Sequence, residues 1–537
     1  MTTTPATALD LPDIQGDVVR PYGRFGFPFA RYVFFNIREA SRGRAFLGAV
    51  AAGVTTAATW NVGPNPIPKP TDTANVALTY QGLKRLELPQ ASLAGFPEEF
   101  VMGMKARKDI LGDDGPSAPE HWDPIWRYSR VKNRDLDVHL LVALNARTMA
   151  ALEERYRWLQ DAAAASAGGV VQLAGHRGDD GRDDLPYQEG SALTEDLRAY
   201  RDVPAPTEKD QPCGREHFGY TDGIGDPYFA GLADAPERVH GRGKQMPGGK
   251  WAPLATGEFL LGHIDEAHEY PPAPAPFLLS RNGTFMVYRK LHENVASFDA
   301  FLERESRNFP GSKDLLKAKF VGRWADNGAP LTAAPDDKSK AGWDARFAAA
   351  SDADKDRMLS GFTYDEDMSG AKCPFSAHIR RINPRASLEF VQGANPAAMV
   401  RSKDAFDTPG ALANRRRIIR RGLPYGEAKD RSSDRGNHGI VIMMLGVDIG
   451  RQFEFVQQQW INYGNDFKAS NDKEILLGNH DKEYPSRAVL QADPDGERAP
   501  YFLRNIPRLV ETRGGDYFFI PSMTALRLIA KGLVDPT

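Results

Sequence analysis

The sequence predicts an α+β chain of two duplicated ferredoxin-like halves with antiparallel sheets. Three observations carry the prediction. The chain has 537 residues, more than one hydrophobic core usually holds. An apolar strand followed closely by an amphipathic helix recurs, twice in each half and in a similar order. A Gly- and Pro-rich stretch separates the halves.

Taken in order, residues 30–37 (ARYVFFNI) read as a strand and 42–50 as the start of a helix; residues 137–144 (DVHLLVAL) are a strand and 146–159 a helix. In the second half, residues 283–289 (GTFMVYR) lead into a helix at 295–307, and 439–445 (GIVIMML) into one at 449–460. The period is too long for a solenoid. Residues 270–276 (YPPAPAP) fit neither a central strand nor a helix interior. The expected division is an N-terminal half at 1–215, a linking region at 216–280 and a C-terminal half at 281–537. Residues 329–356, rich in Ala, Asp and Lys, read as a surface insertion.

Lys and Arg total 68 against 71 Asp and Glu, a net charge of -3, and the basic residues are spread along the chain, which argues against nucleic acid as the main partner. The two cysteines, Cys213 and Cys373, lie far apart and form no CxxC, so neither a disulfide framework nor a zinc site is expected. Residues 1–19 contain no Lys, Arg or apolar core of an export signal, and residues 45–68, though uncharged, carry too much Gly, Thr and Pro for a membrane span. The expectation is a cytoplasmic protein. No GxGxxG, GxxxxGK[ST], HExxH or GxSxG motif occurs, which disfavours nucleotide, zinc-protease and serine-hydrolase chemistry.

Three clusters remain. In residues 216–227 (EHFGYTDGIGDP), Gly219, Gly223 and Gly225 bracket Asp222, so the backbone can turn sharply and aim one carboxylate into a pocket. A glycine turn whose Asp bonds its own backbone is the plainer alternative. In residues 373–385 (CPFSAHIRRINPR), His378 precedes Arg380, Arg381 and Arg385; it suits a metal ligand beside anionic groups, or equally a core-edge histidine next to a basic helix face. In residues 415–426 (RRRIIRRGLPYG), an arginine run ends at Gly422 and Pro424, where a helix or strand must stop; one arginine can point inward, or the run can be a solvated face.

Together and in this order the clusters resemble the dye-decolorizing peroxidases. Residues 219–223 match that family's GxxDG motif, 377–385 its AHIRRINPR-like histidine segment, and Arg420 or Arg421 its arginine before a G-x-P-Y-G turn. Softer similarity runs through residues 11–20, 257–262, 281–283 and 513–525, so it covers most of the chain, whose length is that of the longer subtypes.

The resemblance implies haem b bound without covalent attachment, mainly by the C-terminal half, and oxidation of aromatic dyes and phenols by hydrogen peroxide through a ferryl intermediate, with manganese a reductant in some members. It makes His378 the axial iron ligand and Asp222 and Arg420 the groups that act on peroxide, Arg421 being the rival of Arg420. Arg380 is expected at the haem propionates. Glu474, in residues 472–479 (DKEILLGN), is the expected carboxylate partner of His378, with Asp472 and Asp448 as alternatives. Where many members place Leu and Phe above the haem, this chain has Ile440, Val441, Ile442, Met443 and Met444, and a methionine facing the pocket would be open to oxidation. Haem handling without turnover is the competing function; retention of Asp222 and Arg420 favours the enzyme. A nucleic-acid-binding protein built on the arginine runs is a third.

Overall fold

The computed structural model describes residues 8–535 except 25, 63, 65, 128–129, 132–133, 179–180, 193–214, 222–224, 233–237, 247 and 393–409. Two β-α-β-β-α-β repeats form it. The first comprises β1 (Phe29–Ile37), α1 (Ala40–Ala51), β2 (Asp72–Leu78), β3 (Leu140–Ala146), α2 (Met149–Ala165) and β4 (Val170–Gln172), and a short β5 (Gln188–Ser191) follows it. The second comprises β6 (Thr284–Glu293), α3 (Val295–Ser306), β7 (Ile419–Tyr425), β8 (Gly439–Gly446), a wide π-type helix at 450–461 and β9 (Val510–Ile520). Helices α4 (Asp337–Ala349) and α5 (His378–Ile382) lie between α3 and β7.

All strands of both repeats join one antiparallel sheet in the order β7-β8-β6-β9-β2-β3-β1-β4, with β5 paired to the edge of β1. Each repeat therefore has its first and third strands in the middle, the ferredoxin-like order. The repeats meet at β9 and β2, where Phe519 pairs with Leu78. The far ends also approach: a Cβ on Gly190 of β5 would lie 3.1 Å from Leu423 Cβ and 3.5 Å from the Pro424 carbonyl of β7.

The four strands legible in the sequence are β1, β3, β6 and β8, the central pair of each repeat. Covered on both faces, they read as continuous apolar runs. β1 is buried throughout; even Arg31, 1% exposed, is held by Glu153 at 2.8 Å and Glu189 at 3.0 Å. The outer strands carry polar residues and were not legible: β2 reads DTANVAL and β7 reads IRRGLPY. β7 tolerates Pro424 because it is a sheet edge, where one face of the backbone ladder needs no donor. Gly422 in the same strand has φ +107°, and a Cβ there would meet the Val441 carbonyl at 2.0 Å, so no other residue fits without displacement.

One hydrophobic core fills the space around the sheet and α1 and α2; a second gathers Val295, Phe298 and Phe301 of α3 with Phe320, Trp324 and Trp343. The expected surface insertion is corrected here. Residues 329–356 form α4 and its flanks, Ala329, Leu331 and Ala334 are fully buried, and Trp343 is 2% exposed and stacks on Phe347 at 4.6 Å. Most of its charged residues face outward, Lys340 being buried in ion pairs with Asp326 and Asp344, and Trp343 packs inward beside it. Among the described residues no helix is long and apolar enough to cross a membrane.

Trp343→Ala is expected to lower stability by about 3–5 kcal/mol, the cost of deleting a large buried aromatic; chemical denaturation measures it. A change under roughly 0.5 kcal/mol, as for a surface residue, would return the segment to the status of an insertion.

Candidate functional site

Between the two cores lies a cavity of about 370 Å³, continuous through shared walls with a smaller lobe of about 140 Å³. His378, Leu291, Ile382, Arg420, Ile442 and Leu477 border both. One wall is the face of the second repeat's sheet, where alternation turns Leu291 and Glu293 of β6, Arg420 of β7 and Ile440 and Ile442 of β8 the same way. The opposite wall is α5 and the loop at Leu476 and Leu477.

His378 opens α5, a helix too short to hold its place by its own hydrogen bonds. Buried arginines fix it. Arg381 donates to the carbonyls of Phe375 (2.6 Å), Trp460 (2.6 Å), Tyr463 (2.7 Å) and Asp472 (2.8 Å). It thus binds α5 to the wide helix and to the strand of chain that leads into Glu474. Burial pushes its guanidinium down to about 10, so it stays charged at neutral pH. Arg385 donates to the carbonyls of Ser360, Phe362 and Gly241.

Arg380 is a correction. Expected at the propionates of a haem, it is fully buried and away from the cavity lining, with Nη1 on Asp367 Oδ2 (2.8 Å) and the Cys373 carbonyl (2.6 Å), Nη2 on the Asp367 carbonyl (2.7 Å), and its plane against Tyr364 and Phe375. Arg380 lies two residues beyond His378, about 200° round a helix of 3.6 residues per turn, so it points into protein while His378 points into the cavity. The arginines that line the larger lobe are Arg323, Arg417, Arg420 and Arg421. Arg323 and Arg417 were missed: Arg323 stands in a stretch without other signals, and Arg417 was one of a run.

The structure brings His378 and Glu474 together. Nδ1 of His378 lies 3.5 Å from Glu474 Oε1, longer than a strong hydrogen bond, and among the described residues no other acceptor is in reach of that nitrogen. Glu474 is wholly buried, and its carboxylate also accepts from the amides of Leu476 (3.0 Å) and Leu477. Burial alone would raise its pKa, but the His378 contact and the two amides outweigh it and hold the carboxyl below its ordinary value. The two alternatives are engaged elsewhere: Asp472 pairs with Arg487 at 3.2 Å, and Asp448 caps the wide helix through the Arg451 amide at 2.8 Å.

Strand alternation separates Arg420 from Arg421. Arg420 faces the cavity, half-buried, with Nη2 3.3 Å from the Gly225 carbonyl. Arg421 faces the other way: Nη1 binds both oxygens of Asp226 at 3.0 Å, Nη2 the Val18 carbonyl at 3.0 Å, and Nε the Asp17 carbonyl. Asp222 lies outside the described residues. Its described neighbours Thr221 and Gly225 both line the cavity. The start of that segment is pinned by two buried carboxyls that the sequence reading passed over: Glu216 accepts from the amides of Phe218 (2.7 Å) and Tyr220 (2.6 Å), and Glu293 from that of His217 (2.8 Å). Burial raises the pKa of both.

Arg421→Ala, which strands Asp226, is expected to cost about 3–5 kcal/mol of stability, whereas Arg420→Ala should cost roughly 1 kcal/mol, the ordinary size for a point change. Equal losses in urea denaturation would contradict the assignment of opposite faces.

A family model described as the DyP dimeric alpha+beta barrel domain matches residues 13–177. Peroxidase 2 of Mycetinis scorodonius is 27% identical over 549 residues, covering 98% of this chain and 88% of that protein. A fungal DyP-type peroxidase from Auricularia auricula-judae superposes with a TM-score of 0.68 at 21% identity, over 98% of this chain and 100% of the other. A dye-decolorizing peroxidase solved in complex with 2,6-dimethoxyphenol gives 0.67 at 22% identity, over 97% and 100%.

Proposed function

Because the chain belongs to the dye-decolorizing peroxidase family, we propose that it binds haem b non-covalently in the cavity beside His378 and oxidises aromatic dyes and phenols with hydrogen peroxide. The observation that carries the haem site is the His378–Glu474 pair at the wall of an apolar cavity: one imidazole, its far nitrogen backed by a buried carboxylate, with aliphatic side chains around it. That donor set suits an axial iron ligand made electron-rich from behind. The absence of a CxxCH sequence agrees with non-covalent attachment. Arg323 and Arg417 replace Arg380 as the cations offered to the propionates.

Haem held there would supply the redox chemistry that couples peroxide reduction to oxidation of the reductant. The protein's part is proton and charge management. Asp222 would take a proton from one peroxide oxygen and return it to the oxygen that leaves as water. The Arg420 guanidinium, which faces the cavity, would stabilise the negative charge that develops as the O–O bond lengthens. His378 would hold the haem, oriented by Glu474, while Arg381 ties together the chain around the two. The binding of 2,6-dimethoxyphenol by a protein of the same fold supports a phenolic reductant class; manganese use is a further possibility of the same chemistry. A nucleic-acid partner loses its basis, since Arg380, Arg381, Arg385, Arg417 and Arg421 all point inward. The buried free thiol of Cys373 suits the reducing conditions of a cytoplasmic location.

An absorption spectrum of protein supplied with haem is the direct test. A Soret band that shifts with one equivalent of peroxide and returns on adding an aromatic dye is expected; a band indifferent to peroxide would mean haem handling instead. Asp222→Ala and Arg420→Leu should keep the band yet lose peroxide reactivity, the latter by about 10²–10³-fold, and His378→Ala should lose haem. Normal haem content in His378→Ala would remove it as the ligand.

A further inference from the structure

We propose that Met444 is an oxidation site through which this enzyme switches itself off when peroxide outruns its reductant. The inference rests on the peroxidase reading above and adds a regulatory modification to it. In the β7–β8 pairing Met444 stands directly across from Arg420, and Met443 across from Arg421. Alternation therefore sends the two thioethers to opposite faces. Met444 goes with Arg420 into the smaller lobe of the cavity, which it borders together with His378, Ile442 and Leu477, and it is half-buried. Met443 touches the larger lobe but is 6% exposed and packed into the main core. Among the described residues these are the two sulfur atoms at the cavity; Cys373 is buried outside its lining.

The step balances with the peroxide that the activity already uses. The Met444 sulfur gives two electrons, the O–O bond breaks, one oxygen bonds to sulfur, and the other leaves as water with both protons. The product places a strong hydrogen-bond acceptor opposite the Arg420 guanidinium, since directly paired residues on neighbouring strands have Cβ atoms about 4.5–5.5 Å apart. Arg420 then donates to the sulfoxide and is drawn off the peroxide, so activation slows. With an aromatic reductant present the oxidising equivalents leave by the productive route and the thioether survives. Methionine sulfoxide is returned to methionine by sulfoxide reductases, so the block is reversible.

The test gives holoenzyme stepwise peroxide without reductant and follows both dye oxidation and peptide masses. The expected result is one added oxygen on Met444, accumulating in step with the loss of activity, with little on Met443, and suppressed by 2,6-dimethoxyphenol. Treatment with methionine sulfoxide reductases of both stereospecificities should restore activity, and Met444→Leu should tolerate several-fold more peroxide while losing any rescue by the reductases. Inactivated enzyme with Met444 unmodified would overturn the proposal, as would sulfoxide that forms without loss of activity. Holoenzyme that ignores peroxide and oxidises no dye would defeat the peroxidase reading itself, an outcome distinct from active enzyme with an intact Met444.

Discussion

The structure depends on holding one imidazole and one carboxylate, far apart in sequence, against each other at the wall of a cavity. Neither His378 nor Glu474 sits on an element stiff enough to do this alone: α5 is a five-residue helix and Glu474 is in a loop. Arg381 supplies the stiffness. Its guanidinium, buried among backbone carbonyls of the α5 approach, the wide helix and residue 472, forms four charge-assisted bonds whose geometry is fixed by a planar group. A buried cation normally calls for a carboxylate beside it; here carbonyl dipoles share that task, and Arg385 repeats the device nearby. The basic run after His378 is thus a frame for that histidine rather than a surface for an anion.

Duplication provides the second constraint. Both repeats place their first and third strands centrally, and both turn a sheet face to the cavity, the first through Tyr32, Asn75 and Ala143 and the second through Leu291, Arg420 and Ile442. The edge strand β7 carries both faces of the problem: Arg420 toward the cavity, Arg421 into a buried pair with Asp226 that anchors the segment after the GxxDG motif. The side chain that faces the cavity and the side chain that locks the surrounding chain are adjacent because a strand turns neighbours to opposite sides. Gly422 follows because the backbone there approaches Val441 too closely for a side chain.

Much of this was legible in the sequence, and the misses have physical causes. Central strands reveal themselves by unbroken apolar runs, so β1, β3, β6 and β8 were placed within a few residues. Outer strands mix polar and apolar residues and carry glycine or proline, as in β2 and β7, and periodicity passes over them. α4 was misread because charge dominates its composition while the few residues that decide burial, Trp343 above all, are sparse. His378 and Glu474 were identified by resemblance, and the structure adds that they face each other. Arg380 failed because a motif marks which residues recur and not which way each points. That Arg420 and Arg421 turn to opposite faces needed only the strand assignment, which the arginine run concealed.

The central claim is that Glu474 sets the electronic character of His378 as an iron ligand. Resonance Raman spectroscopy of the ferrous holoprotein, comparing the iron–imidazole stretch before and after Glu474→Gln, measures it most directly. A stretch that falls in frequency in the variant, with haem still bound, is the result expected of an imidazole that has lost its carboxylate partner. An unchanged frequency would mean that Glu474 is structural only, and absence of the iron–imidazole band in the parent protein would mean that His378 does not ligate iron.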